Sequence, residues 1–399
     1  MFSLDNFYSV LFSNLLEPCS FEYHYYYPFG STNPEDIQQS LTRGVNPYRP
    51  PETLAYRLAV HCNKVLFFDQ EPLSEQAISR YVSRWNPTFT RISPGERNQA
   101  GATIIANSEV SDFKNAILAE NQWIDWYYFF HGFLALYWYN DFQYFDIQKT
   151  ACFDKVFINY NNLVRKDRSY RLSLVSELLN RRLSSKGLIS LPLTDEQHGS
   201  IANELNDPYT QLSPYFKNQI ERNILTLPAS LTIDKHNVSG SDSATMNLVA
   251  NQRAFWHVVS ETNFYHAKLH LTEKIFKPIV SFRPFILACA PGNLKYLRSY
   301  GFQTFGKWID ESYDLEPDHD KRILMIVDQV ERLAKLSEQE QKDMFEDMQP
   351  VLEHNFNHFY GDFKKIIVNE MVWGFYEAVD RIIDDSHVDY NSVIKRLTR

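Results

Sequence analysis

Glycine is scarce in this chain, 13 in 399 residues, and neither GxGxxG nor GxxxxGKS/T occurs. That argues against a glycine-cradled dinucleotide and against a P-loop NTPase. Any phosphate has to be held by helix ends and basic side chains instead. Cysteine is scarcer still: Cys19, Cys62, Cys152 and Cys289 lie far apart and form no CxxC pair. A disulfide or zinc framework is not expected, and a reducing compartment fits. Positive charge is short as well. The 40 Lys and Arg stand against 49 Asp and Glu, a net charge of −9. That leaves no broad basic surface for nucleic acid, although a local basic groove is compatible with it.

Long apolar runs are also missing. No stretch of about 18 residues is free of polar ones, so no membrane span is expected. The nearest, Trp123 to Tyr139, contains Asp125 and His131. The first residues, MFSLDNFYSVLFSNLL, lack a basic leader and carry Asp5, unlike a signal peptide. No GxSxG occurs, so a nucleophile triad has no support. His266/His270 and His354/His358 have helical spacing, but neither pair encloses the Glu of HExxH or has an evident third ligand. No metal and no cofactor is expected. Asp318-His319-Asp320 has the form of a DxD motif but stands in a charged loop and reads as surface.

What the chain does have is apolar mass, 44%, a high aromatic fraction, 15%, and length enough for two domains. Short continuous apolar runs of the buried parallel-strand type end in polar clusters. Lys64 to Phe68 ends in Asp69-Gln70-Glu71-Pro72. Ala102 to Ala106 ends in Asn107-Ser108-Glu109. Lys155 to Asn159 runs into Tyr160-Asn161-Asn162 and the basic cluster Arg165, Lys166, Arg168 and Arg171. Phe21 to Tyr27 and Leu188 to Leu191 are further strands. Leu174, Val175, Leu178, Leu179 and Leu183 form one face of an amphipathic helix, with Gly187 as its C-cap. Residues 193–250 are polar and irregular and read as an insertion, and from 321 the chain reads as helical. The fold class is therefore α/β, with domains at 1–150 and 151–330 and helices over 331–399. The Trp123–Tyr139 stretch reads either as aromatic core or as a stacking wall for a sugar or base around His131.

The chain is organised around Phe255 to Phe305. An apolar run, Phe255 to Val259, ends in Ser260-Glu261-Thr262-Asn263. Thr272-Glu273-Lys274 then opens an apolar helical segment. A second apolar run, Phe285 to Cys289, stops at Pro291-Gly292, and a helix begins near Asn293. This is strand, loop, helix, strand, helix, with polar residues at the edge where open α/β sheets bind ligands. Thr272 reads as an N-cap. Lys274 adds positive charge where it does nothing for the helix but suits a phosphate. Glu273 offers an acceptor pair for sugar hydroxyls. A capped surface helix with solvated charges would carry the same tripeptide.

Taken whole, this stretch resembles the donor-binding signature of the α1,3-fucosyltransferase family and its bacterial and viral relatives. Ser260-Glu261-Thr262-Asn263 stands where that signature has Phe-Glu-Asn-Ser. Tyr265, Thr272-Glu273-Lys274 and Pro284-Phe285-Ile286 follow in order. Two features depart from it: the loop from Asn263 to Thr272, and Pro278, which should kink or shorten the helix. The resemblance implies a GT-B architecture of two facing Rossmann-like domains, with a helical C-terminal segment whose last helix crosses back to the first domain.

It further implies a cytoplasmic transferase of bacterial or viral type, acting in a bacterial cell or infected host. Such an enzyme moves a sugar from a nucleotide diphosphate sugar, GDP- or UDP-linked, to an acceptor hydroxyl, with inversion and without a metal. Arg165 or Arg168 and Lys274 would neutralise the pyrophosphate. Glu261, Asn263, Tyr265, Thr272 and Glu273 would complete the donor site. Glu71, in Glu71-Pro72-Leu73, stands where the family's catalytic base lies in a Glu-Ser-Pro segment, with the Ser missing here. Asp69 and Glu109 are its reserves, and Glu109 and His131 are candidates for the acceptor side. The expected acceptor is a glycan. The alternatives are a hydroxymethylated pyrimidine in phage DNA, and a non-catalytic module that binds a nucleotide sugar or carbohydrate.

Overall fold

The computed structural model describes residues 21–26, 63–68, 103–108, 124–164, 166–191, 201–225 and 246–380, with isolated positions at 110, 115, 118, 119, 231, 391 and 393–395. The strands are β1 Phe21–Tyr26, β2 Asn63–Phe68, β3 Thr103–Asn107, β4 Ile124–Tyr128, β5 Lys155–Tyr160, β6 Gly187–Ser190, β7 Ala254–Ser260 and β8 Phe285–Ala288. The helices are α1 Phe133–Trp138, α2 Tyr170–Asn180, α3 Ile201–Asn206, α4 Pro214–Asn223, α5 Leu248–Arg253, α6 Phe276–Val280, α7 Asn293–Ser299, α8 His319–Ala334, α9 Glu338–Tyr360 and α10 Asp362–Asp380. The chain divides into two compact units, 1–137 together with 364–399, and 138–363. Each holds a four-stranded sheet whose strands are all parallel, so the chain is α/β, with a helical C-terminal segment.

In the first unit the strands lie in chain order, β1-β2-β3-β4. The strand β4 lies inside the aromatic stretch, where crowded rings obscure any period-2 signal but favour extended backbone. Trp126, Tyr127, Phe129, Phe130 and Phe133 are buried. Tyr127 meets Phe375 of α10 edge-on at 6.1 Å, and its hydroxyl donates to the Met371 carbonyl at 2.9 Å. The stretch is therefore largely core.

In the second unit the order is β6-β5-β7-β8. The segments KVFINY, AFWHVVS and FILA are apolar almost throughout because both faces of this sheet are covered. Helix α2 buries Leu172, Leu174, Val175 and Leu178. Helix α8 buries Ile323, Ile326, Val327, Val330 and Leu333, the spacing of one helical face. Arg181 ties the two helices together, pairing with Glu177 at 2.7 Å, with Glu331 at 2.9 Å and with Asp328. Among the described residues, no helix is long and apolar enough to cross a membrane.

Three sequence expectations change. Gly187 does not cap α2: α2 stops at Asn180, Arg182 takes the left-handed turn with φ 59°, and Gly187 follows a 3-10 turn, Ser184–Lys186, and opens β6. A Cβ there would lie 2.3 Å from the Phe157 ring, so close packing is what requires glycine. Residues 193–250 are not simply irregular, since they contain α3, α4 and the start of α5. Only one narrow side of α4 is apolar, Phe216 and Ile220, and Ser213 with Pro214 starts it. Asp318 is not part of a loop motif: it caps α8, accepting from the Lys321 amide at 2.8 Å. Pro278 agrees with the expected shortening and does not kink α6. It is the third residue of a five-residue helix, where no intrahelical N–H is needed. The chain turns out at Phe282 with φ 58°.

Candidate functional site

From β5 the chain goes to β6 on one side, then returns past β5 to form β7 on the other. The C-terminal ends of β5 and β7 therefore flank a topological switch point, the usual ligand crevice of such sheets. Polar side chains stitch this edge together. The Asn159 amide donates to the Val258 carbonyl at 2.7 Å and to Ser260 Oγ at 3.0 Å. Asn161 donates to Asn159 Oδ1 at 2.6 Å and to the Ser190 carbonyl at 3.0 Å. These bonds run laterally from β6 through β5 to β7.

Directly beyond β7 sits a cluster of four of the expected site residues. Glu261 is fully buried. Its Oε2 accepts from the Thr272 hydroxyl at 2.6 Å and the Thr262 amide at 3.3 Å, and its Oε1 accepts from the Thr272 amide at 3.3 Å. Thr272 caps a 3-10 turn, Glu273–Ile275, that leads into α6. Lys274 Nζ donates to Glu273 Oε1 at 2.9 Å, Thr272 Oγ1 at 3.1 Å and Thr262 Oγ1 at 3.4 Å. The Lys274 side chain is 30% exposed and that of Glu273 only 4%. Burial pushes the Glu261 carboxyl up. The Lys274 ammonium opposes this, and the charge of Glu273 adds to it. Tyr139 is fully buried, and its phenol is pushed well up by burial and by the charges of Glu273 and Glu261.

The turn and five-residue helix here are too short to supply much dipole, so positive potential comes from Lys274 itself. The next helix start, α7, is already filled. Asp314 accepts from the Leu294 amide at 3.1 Å, and burial pushes its carboxyl up to about 6. Nothing near Asn293 in the sequence signals this cap, because Asp314 is 20 residues away.

The loop after β5 carries the basic cluster. Arg168 ends a 3-10 turn, Lys166–Arg168, and is half-buried. Lys166 has φ 53°, and Glu204 of α3 holds its amide at 3.0 Å. Arg171 is a strut, donating to the carbonyls of Leu163 at 2.9 Å and of Ser260 and Glu261 at 3.1 Å. Neither role is visible in the sequence, since backbone partners leave no local pattern.

The loop after Asn263 lies against this one. The Tyr265 hydroxyl and Ser169 Oγ are 3.0 Å apart, and burial pushes the Tyr265 phenol up. Asn263 donates to the carbonyls of His266 at 3.0 Å and Lys268 at 3.2 Å, so its amide shapes the loop. His266 pairs with Asp167 at 3.5 Å.

His131 follows β4 in the first unit and is buried. Glu71, Asp69, Glu109 and Arg165 lie outside the described residues. His354 and His358 face the carbonyls of Gly301 at 2.9 Å and Tyr300 at 2.7 Å, which joins α9 to the end of α7. Among the described residues, no group of His, Cys, Asp and Glu is arranged to hold a metal ion.

No family model matches the chain, and no curated protein matches its sequence. Among solved structures the chain is similar to a mutant of the T4 phage BGT in complex with UDP-glucose. The identity is 11% and the TM-score 0.36, over 80% of this chain and 74% of that one.

Proposed function

We propose that this chain transfers a sugar from a nucleotide diphosphate sugar to an acceptor hydroxyl. The observation that carries this reading is Lys274, a partly exposed ammonium backed by buried carboxylates, just beyond the end of β7 at the switch point. When the bond between sugar and diphosphate breaks, negative charge grows on the leaving phosphate. A cation fixed at that point lowers the barrier. Lys274 has a donor to offer, because its contact with Thr262 is the longest of its three at 3.4 Å. Arg168 or Arg165, in the loop after β5, supplies the second positive charge. Glu273 stays beside the ammonium and accepts from a hydroxyl of the bound donor. Glu71 takes the proton of the acceptor hydroxyl in a single displacement, which inverts the anomeric carbon and requires no metal.

The test uses GDP-fucose and UDP-glucose as probes, each incubated with the full chain without acceptor. Slow release of GDP or UDP above the spontaneous rate is expected from one of them, because a transferase lets water stand in for the acceptor. Release from neither donor, together with no binding of either, contradicts the reading. Binding without release points to a non-catalytic module. Once an acceptor is in hand, Glu71→Gln is expected to lower kcat by about 100-fold. A Glu71→Gln enzyme with normal turnover removes Glu71 from the mechanism.

A further inference from the structure

The Thr272 hydroxyl has one hydrogen, and its shortest contact, 2.6 Å, is to Glu261 Oε2. With the hydrogen placed there, the oxygen lone pairs are turned to Lys274, whose Nζ lies at 3.1 Å and whose amide lies at 3.4 Å. If the hydroxyl turned its hydrogen the other way, it would meet an ammonium that can only donate. Glu261 thus sets the polarity of Thr272, and Thr272 sets the place of the ammonium. Glu261 itself has no surface to offer a ligand, being 0% exposed with both oxygens accepting bonds from within the chain.

We propose that Glu261 is a positioning residue, which fixes the Lys274 ammonium through the Thr272 hydroxyl and does not touch the donor. This departs from the direct place in the donor site that the resemblance implies for Glu261. It rests on Lys274 being the diphosphate contact. A charged acceptor makes a stronger bond than a neutral one, so the carboxylate is what keeps the hydroxyl from rotating. The physical consequence is selective: disturbing Thr272 or Glu261 affects the diphosphate part of the ligand and leaves the nucleoside part alone.

Calorimetry of the full chain with UDP and GDP, and with uridine and guanosine by competition, tests this. The variants are Thr272→Val, Thr272→Ser, Glu261→Gln and Lys274→Ala. Thr272→Val keeps the shape and removes the hydroxyl. It is expected to weaken the diphosphate that binds by about tenfold or more, with nucleoside affinity little changed. The melting midpoint falls because Glu261 loses its shortest hydrogen bond, so affinities are compared well below both midpoints. Thr272→Ser restores the hydroxyl and is expected to bind within about threefold of the parent. Glu261→Gln follows Thr272→Val. If that variant does not fold, the Val and Ser pair still decides the matter.

Diphosphate binding that survives Thr272→Val but is lost in Lys274→Ala overturns the positioning role and leaves the Lys274 site standing. Equal weakening of nucleoside and diphosphate also overturns it, since that is a general structural effect. If the unaltered chain binds neither UDP nor GDP, the transferase reading fails and the positioning role fails with it.

Discussion

The strands β4 and β7 end in opposite ways. Beyond β4 the chain runs Phe129, Phe130 and His131, and beyond β7 it runs Glu261, Thr262 and Asn263, and every one of these residues is buried. Burial therefore does not distinguish them. The aromatic end gains free energy by leaving water, and its rings pack on one another, as Phe129 does on Phe133 at 6.0 Å. The polar end loses free energy by leaving water and is tolerable only because hydrogen bonds answer it. Glu261 needs three of them. A fold has no reason to carry that cost for packing alone, since an apolar strand end would serve better. The costly end is where function is to be sought, and the aromatic one is where stability comes from.

Changing one end at a time should separate stability from binding. Tyr127→Ala, at the aromatic end, is expected to cost about 3–5 kcal/mol in a denaturant titration, because it empties a buried aromatic site. The fraction that stays folded should bind a nucleoside diphosphate normally. If binding falls with stability held constant, the two ends are not separable.

Asp314→Asn probes the buried polar side through pH. A carboxyl raised to about 6 in the fold binds its proton more tightly folded than unfolded. Its contribution is complete below the unfolded value, near 4, and is lost as pH rises through 6. Stability of the parent should therefore drop between pH 4 and pH 7 relative to Asp314→Asn, by about 1–3 kcal/mol. Parallel pH profiles for the two proteins would show that Asp314 is not held high.

Tyr127→Phe should have the smallest effect. It removes the bond to the Met371 carbonyl, worth about 1 kcal/mol, and should shift the unfolding midpoint slightly without touching nucleotide affinity.

Much of this comparison could be read in the sequence, but unevenly. The runs at 155–159 and 285–289 signal strands because a sheet covered on both faces needs apolar residues throughout, and the run at 64–68 signals a strand by the same composition. The polar cluster at 260–263 and the tripeptide at 272–274 mark the costly end for the same reason in reverse. The strand β4 carries no such signal, because Trp126, Tyr127 and Tyr128 in succession mask the alternation. The use of the polar residues was also hidden. Arg171 looks like a phosphate ligand until the carbonyls of Leu163, Ser260 and Glu261 claim its donors. Glu204, in the segment that reads as irregular, meets the Lys166 amide from 38 residues away. Gly187 looks like a helix cap until the Phe157 ring is in place. In each case the deciding partner is distant in the chain, so no local pattern announces it.

The measurement that bears most directly on the central claim is a thermal shift of the full chain with UDP, GDP, ADP, TDP and CMP, repeated on Lys274→Ala. A ligand that binds only the folded chain raises its midpoint with concentration. The account predicts a rise with one class of nucleoside diphosphate, lost in Lys274→Ala, each protein being compared with its own unliganded midpoint because removing the ammonium leaves the buried Glu273 carboxylate unpaired. A rise that persists in Lys274→Ala, or no rise with any of the five, would contradict it.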